Sequence, residues 1–248
     1  MRDAVWRYLQ ERTAKGKVHL TLLDPASQPT ERGAEIAVKA KEFGTDGFMV
    51  GGSTGVTSEN LDALVRAIQE ATGLPVVHFP NQAKALSPNV DAIWFMSTLN
   101  SRNPRFITRE QMLGAPILAA AGIEAIGMGY LIVEPGMTVG KVSEADLIPR
   151  TEEGARMAAA YALAAQFFGM KVVYLEGGSG AHEHVPASIV AAVKRAVEIP
   201  VMVGGGIREA AHARSVLAGG ADIVVTGTVA EKGGFEALRA IVAEVKRG

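Results

Sequence analysis

Short apolar runs alternate with stretches of helical spacing along the whole chain, the pattern of βα units built around a parallel sheet. Eight runs predict strands: residues 17–23, 47–51, 75–79, 91–96, 124–133, 171–175, 200–203 and 222–226. A parallel strand is buried on both faces and reads as a nearly continuous apolar run, as Val201-Met202-Val203 and Ile223-Val224-Val225 do. Between them, residues 30–43 have apolar positions at Ala34, Ala37, Val38 and Phe43 and stop at Gly44, which predicts a helix. Residues 58–71, 151–168, 186–197, 208–218 and 235–246 give further helices, and an extra one over 3–14 precedes the first strand. The third connection, 81–88, is too short and Pro-interrupted for a helix. Eight βα-like units over roughly 230 residues predict a single (β/α)8 TIM barrel, one domain over 1–248, with an N-terminal extra helix and an irregular third βα connection. An open doubly wound sheet would carry a Gly-rich fingerprint after its first strand, whereas this one ends in Leu23-Asp24-Pro25.

Composition narrows the chemistry. With 25 basic and 26 acidic residues in 248, the net charge is −1, so no nucleic-acid partner is expected. There is no cysteine, which excludes disulfides, thiol nucleophiles and thiolate-held metals. The first 15 residues are charged and lack an apolar signal core, and no apolar run approaches the roughly 20 residues of a membrane span. A cytoplasmic protein is expected. Glycine is in excess at 28 residues, and ten of these (Gly51, Gly52, Gly55, Gly177, Gly178, Gly180, Gly204, Gly205, Gly206 and Gly227) fall at predicted strand ends.

Strand ends are where a barrel keeps its function. Strand 7 ends in Gly204-Gly205-Gly206-Ile207-Arg208 before a helix, and strand 8 in Thr226-Gly227-Thr228. Loops of this kind at strands 7 and 8 are frequent phosphate sites, because glycines leave backbone N–H groups open. Strand 6 ends in Tyr174-Leu175-Glu176-Gly177-Gly178-Ser179-Gly180. Strict alternation puts Tyr174 and Glu176 on one side. Glu176 suits a substrate hydroxyl, as acceptor or general base, or else orders the loop. Asp24 at strand 1 and Ser53 at strand 2 offer hard oxygen ligands for Mg2+, with a turn cap as the alternative for Asp24. His182, Glu183 and His184 read as surface residues of the strand-6 loop, and His78 as a buried or rim residue. Asn100-Ser101-Arg102-Asn103-Pro104 after strand 4 reads equally as a turn and as an anion contact.

These residues carry a resemblance. Asp24-Pro25, Gly51-Gly52-Ser53, the stretches 99–104 and 130–140, Tyr174 to Ala181 (YLEGGSGA) and Gly204 to Arg208 (GGGIR) resemble the geranylgeranylglyceryl phosphate synthases, prenyltransferases on a TIM barrel. The resemblance implies the first committed step of archaeal ether-lipid synthesis: transfer of the geranylgeranyl group of its diphosphate to the 3-hydroxyl of sn-glycerol 1-phosphate, with diphosphate released. It further implies a glycerol phosphate site from Tyr174, Leu175, Glu176, Gly177, Gly178, Ser179, Gly180, Gly205, Gly206, Gly227 and Thr228, catalysis by Glu176 and Tyr174, and Mg2+ on Asp24 and Ser53. The apolar tail requires a groove, for which Phe79, Trp94, Phe95, Ile126 and Tyr130 are candidate linings. A homo-oligomer is expected from the apolar helix face over 157–165, and a C20 lipid substrate implies transient membrane contact. The rival readings are an isomerase or lyase on a phosphorylated sugar or amino-acid precursor, and a non-catalytic phosphate- or prenyl-binding protein.

Overall fold

A computed structural model describes residues 3–52, 54–232 and 234–248. Eight parallel strands close in sequence order into a barrel: β1 (Val18–Leu23), β2 (Gly47–Val50), β3 (Val76–His78), β4 (Ala92–Thr98), β5 (Glu124–Ile132), β6 (Val172–Glu176), β7 (Val201–Gly204) and β8 (Ile223–Thr226). The expected strands differ from these by one or two residues at their ends. Around them run α2 (Thr30–Phe43), α3 (Ser58–Thr72), α4 (Glu110–Ala121), α6 (Glu152–Phe167), α7 (Ala187–Ala196), α8 (Ala210–Ala218) and α10 (Phe235–Val245). Two short helices, α5 (Met137–Val142) and α9 (Thr228–Lys232), lie in the loops after β5 and β8. Residues 81–88 hold no helix; the stretch is short and bounded by Pro80 and Pro88, which favour breaks in helical structure.

The strand alternation divides the core in two. One set of side chains, including Leu20, Met49, Trp94, Tyr130, Tyr174 and Met202, fills the barrel interior. The other, including Val50, Leu131, Val173, Leu175 and Val203, packs outward against the helices. The extra helix α1 (Ala4–Lys15) closes the barrel bottom, inserting Val5, Trp6 and Leu9 into the interior set. Its first turn is fixed from β5: the Glu124 carboxylate accepts from the amides of Val5 (2.9 Å) and Trp6 (2.8 Å), which satisfies amides that a helix start leaves without partners.

One expectation fails for a physical reason. The segment between β4 and β5, in which no helix is expected, is a π-helical turn over Arg105–Arg109 running into α4. Its sequence, EQMLGAPILAAA, is apolar on nearly every face and interrupted by Pro116, so no amphipathic period announces it. Helix 208–218 starts two residues later, at Ala210, so that Gly205 and Gly206 lie in the loop between β7 and α8. The stretch 157–165 is mixed: Ala158, Ala162 and Ala165 are fully buried, Met157 and Ala160 are exposed, and the rest are half-buried. The exposed large apolar residues among those described are Met112, Leu113 and Ile117 on α4, Met137 on α5, Met157 and Phe167 on α6, and Phe168 just after it. Among the described residues no helix is long and apolar enough to cross a membrane.

Candidate active site

Glu176 is the last residue of β6 and faces the barrel mouth together with Tyr174. It is 5% exposed, and its Oε1 accepts a 2.6 Å hydrogen bond from the Gly178 amide. Burial pushes its pKa up; the hydroxyls of Tyr174 and Tyr130 and the Gly178 amide act in the opposite direction. The result is a carboxylate held away from water but within reach of a hydroxyl at the mouth, the setting of a general base tuned toward neutrality. The two phenols are raised well above their ordinary pKa by burial and by the negative charge of Glu176, so they stay protonated.

Tyr174, Tyr130 and Phe79 form an aromatic cluster. Ring centroids are 5.3 Å apart for Tyr130 and Tyr174, 5.6 Å for Phe79 and Tyr130, and 5.8 Å for Phe79 and Tyr174. Each ring lines a different cavity. Tyr174 borders a small cavity whose wall includes Glu176, Ser179, Gly180, Gly205, Gly206, Arg208, Gly227 and Thr228 beside the apolar Leu22, Ile207 and Val225. Tyr130 borders an apolar cavity between β4 and α4 that includes Trp94, Phe95, Met96, Phe106, Leu118 and Val139. Phe79 borders a polar cavity over β2 and β3, with Gly52, Thr54, His78 and Lys84.

Most of the expected glycerol phosphate residues therefore meet in one place, and the exceptions follow from geometry. Leu175 is fully buried among Val173 and Val203 on the helix side, because alternation turns it away from its neighbours Tyr174 and Glu176. Gly177 and Gly178 are buried below the cavity: their amides donate to the Gly204 carbonyl (3.0 Å) and to Glu176. Ser179 and Thr228 meet through their hydroxyl oxygens at 3.1 Å, joining the loops after β6 and β8. Gly205 and Gly206 both have positive φ, +80° and +71°, a turn that leaves no room for side chains. Arg208, absent from the expected set, supplies the cavity with a cation; its Nη1 lies 3.0 Å from His182 Nδ1. It stands in the GGGIR motif, so the signal was in the sequence.

Of the expected groove linings, Trp94, Phe95 and Tyr130 line the apolar cavity and Phe79 adjoins it through the aromatic cluster. Ile126 is fully buried in the barrel interior and lines none of the three cavities. The stretch 100–104 is engaged within the fold: Asn100 Nδ2 donates to the carbonyls of Ile132 (2.9 Å) and Asp146 (2.8 Å), and the Ser101 hydroxyl to that of Ser143 (2.6 Å). His184 stacks on His212 at 4.7 Å, and Glu183 pairs with Arg150 at 3.3 Å.

Asp24 follows β1, half-buried at the mouth. Burial is the main cause raising its pKa, and the neighbouring Glu231 adds to it. Glu231, on α9, orders the loop: its Oε1 accepts from the Asp24 amide (2.8 Å), the Ser27 hydroxyl (3.0 Å) and Gln28 Nε2 (3.2 Å). A side chain at position 52 would collide with the Asp24 carboxylate, so Gly52 is the residue that lets it sit there. Ser53 lies outside the described residues. Among the described residues, no three His, Cys, Asp or Glu side chains gather into a metal cage.

The PcrB family profile matches residues 8–245. The chain belongs to the PcrB family. A relative from Thermococcus kodakarensis, named geranylgeranylglyceryl phosphate synthase, is 50% identical over 242 residues, covering 97% of this chain and 95% of the relative. One of the same name from Methanothrix thermoacetophila is 50% identical over 233 residues, covering 93% and 91%. The crystal structure of (S)-3-O-geranylgeranylglyceryl phosphate synthase from Thermoplasma acidophilum, in complex with substrate sn-glycerol-1-phosphate, superposes on this PcrB-family chain with TM-score 0.95 at 45% identity, each chain covered completely. The Thermoplasma volcanium enzyme does so with TM-score 0.94 at 40% identity, over 100% of this chain and 99% of that one.

Proposed function

We propose that this protein is a geranylgeranylglyceryl phosphate synthase that transfers the geranylgeranyl group of its diphosphate to the 3-hydroxyl of sn-glycerol 1-phosphate. The observation that carries this reading is the convergence of three cavities on Phe79, Tyr130 and Tyr174 beside Glu176. One cavity is glycine-walled and holds Glu176 and Arg208, one is apolar, and one carries polar groups with its Gly52 against Asp24. A transfer between an anionic alcohol and an allylic diphosphate needs three such compartments: for the phosphate of the acceptor, for the hydrocarbon tail and for the departing head.

The acceptor's phosphate lies against Gly205, Gly206, Arg208, Gly227 and Thr228, and its hydroxyl is directed at Glu176. The O–C1 bond forms as the bond from C1 to the diphosphate oxygen breaks. Glu176 takes the hydroxyl proton, and diphosphate leaves. Positive charge developing at C1 falls among three aromatic rings, whose faces favour cations, and near the charge of Glu176. Holding the hydroxyl in line removes most of the entropic cost of the encounter.

Mg2+ fits the donor set at Asp24. A carboxylate driven toward protonation by burial and by Glu231 is relieved by a dication, and Mg2+ prefers one or two carboxylates, waters and substrate phosphate oxygens to an all-protein cage. When bound, it would supply charge neutralisation for the leaving diphosphate.

The test is direct. Labelled sn-glycerol 1-phosphate is incubated with geranylgeranyl diphosphate and Mg2+, and the organic phase is counted. Extractable label is expected. Binding without any extractable label leaves a non-catalytic binding protein, and conversion of a phosphorylated sugar or amino-acid precursor to a water-soluble product leaves an isomerase or lyase. In the same assay, Asp24→Asn should raise the Mg2+ concentration for half-maximal turnover by about 10-fold or more, the scale of one lost charged contact; an unchanged Mg2+ titration removes Asp24 from the metal site.

A further inference from the structure

The connection between β3 and β4 separates two cavities of opposite character. The apolar one lies on its α4 side, and the polar one, of about 260 Å3, lies over the ends of β2 and β3. Asn81 and Gln82 line both, so one elongated ligand that is apolar at one end and polar at the other can occupy the two across this segment. The polar cavity holds groups that nothing in the fold uses. Lys84 has no ion-pair or hydrogen-bond partner among the described residues, in contrast to Arg102, Arg105 and Arg150, which pair with Asp146, Glu110 and Glu183. His78, at the end of β3, is 1% exposed, yet its Nδ1 has no partner. A buried polar atom without a partner costs free energy that a ligand can recover.

We propose that Lys84 and His78 bind the diphosphate head of the prenyl substrate in the β2–β3 cavity, with the hydrocarbon chain passing over Asn81 and Gln82 into the apolar cavity. This rests on the transferase reading. The charges support an anion there. Burial lowers the His78 pKa to about 4, so the ring is neutral and has one N–H to donate, while Lys84 supplies the positive charge and Thr54 a hydroxyl. Gly52 lines this cavity and abuts the Asp24 carboxylate. A head bound here is therefore met by Lys84 on one side and by the Asp24 carboxylate's position on the other, where a dication would complete the neutralisation. Phe79, on the same cavity's wall, places the first carbon of the chain beside the aromatic cluster and Glu176.

The probe is inorganic pyrophosphate with Mg2+, titrated calorimetrically into the whole chain. Lys84→Ala should weaken pyrophosphate binding about 10-fold, the scale of one charge-assisted contact, and leave sn-glycerol 1-phosphate binding unchanged. Lys84→Arg, which keeps the charge but not its point-like shape, should stay within about 3-fold of the parent. In turnover, the KM for geranylgeranyl diphosphate should rise with the loss of pyrophosphate affinity while kcat changes little. Lys84 is exposed, so the fold is not at risk. Unchanged pyrophosphate affinity in Lys84→Ala, or an equal loss for both ligands, overturns its assignment; unchanged affinity in a folded His78→Phe removes His78. A parent chain that binds pyrophosphate through Lys84 but forms no prenylated product defeats the transferase reading and leaves this site standing. A competent transferase indifferent to Lys84 defeats the site alone.

Discussion

Glu176→Gln should lower kcat by about 10²- to 10⁴-fold, the usual range for a lost general base, with little change in the KM for sn-glycerol 1-phosphate. Glutamine matches the carboxylate in shape and can still accept the 2.6 Å hydrogen bond from the Gly178 amide, so the loop keeps its form. The pH dependence carries a sign that separates catalysis from structure. The folded-state pKa of Glu176 is raised, mainly by burial. Below that value the group is protonated and cannot take the hydroxyl proton. The acid limb of kcat/KM in the parent should therefore lie above the ordinary glutamate range of about 4.3, and it should vanish in the variant. Stability moves in the opposite sense. Between the unfolded and the folded pKa the folded state holds the extra proton, so stability rises as pH falls through that window and is lower above it. At neutral pH the ionised carboxylate is thus a cost to folding, and Glu176→Gln should unfold at the same temperature as the parent or higher. A variant within about 3-fold of the parent kcat would reject the base assignment; a variant with a lower unfolding temperature would make Glu176 a structural residue first.

That contrast shows what a sequence can and cannot reveal here. The eight strands were legible because a strand buried on both faces shows mostly apolar residues, and the Gly-rich ends were legible because positions such as Gly205 and Gly206 have positive φ and no room for a Cβ. The pairing of Tyr174 with Glu176 followed from alternation alone. The same alternation excludes Leu175 from the cavity, where a motif carried over whole had included it. Helix α4 was hidden because it is apolar on most sides and contains a proline, so its residues show no period. The β2–β3 cavity was hidden for a different reason: Lys84 and His78 belong to an irregular connection and a three-residue strand, and their juxtaposition with Gly52 arises from the pairing of β2 with β3. Glu231 is similar, far from Asp24 in sequence yet organising its loop because β8 and β1 are neighbours in the closed sheet.

Gly205→Ala should damage binding and stability together. Gly205 has φ +80°, and a residue with a Cβ pays about 1–2 kcal/mol to adopt such a conformation. Its Cβ would also overlap Glu176 Oε1 and come within 2.5 Å of the Gly178 amide nitrogen. Those two atoms are hydrogen-bonded to each other, and the Gly177 amide is held by the Gly204 carbonyl at 3.0 Å, so neither can give way without breaking a buried contact. The unfolding temperature should fall by several degrees, at about 2–4 °C per kcal/mol for a chain of this size. Displacement of the phosphate wall should raise the KM for sn-glycerol 1-phosphate by about 10- to 100-fold, the loss of one or two charged hydrogen bonds. Two alanine substitutions separate the causes. Gly220 has φ +99° but meets only the flexible Lys194 side chain; Gly220→Ala should lower stability and leave KM alone. Gly180 lines the same cavity with φ +75° and open space around its Cβ; Gly180→Ala should affect KM less than Gly205→Ala does. A Gly205→Ala chain that is less stable yet binds glycerol phosphate normally would mean that the loop after β7 does not hold the phosphate, and that the glycines there serve only the turn around Glu176.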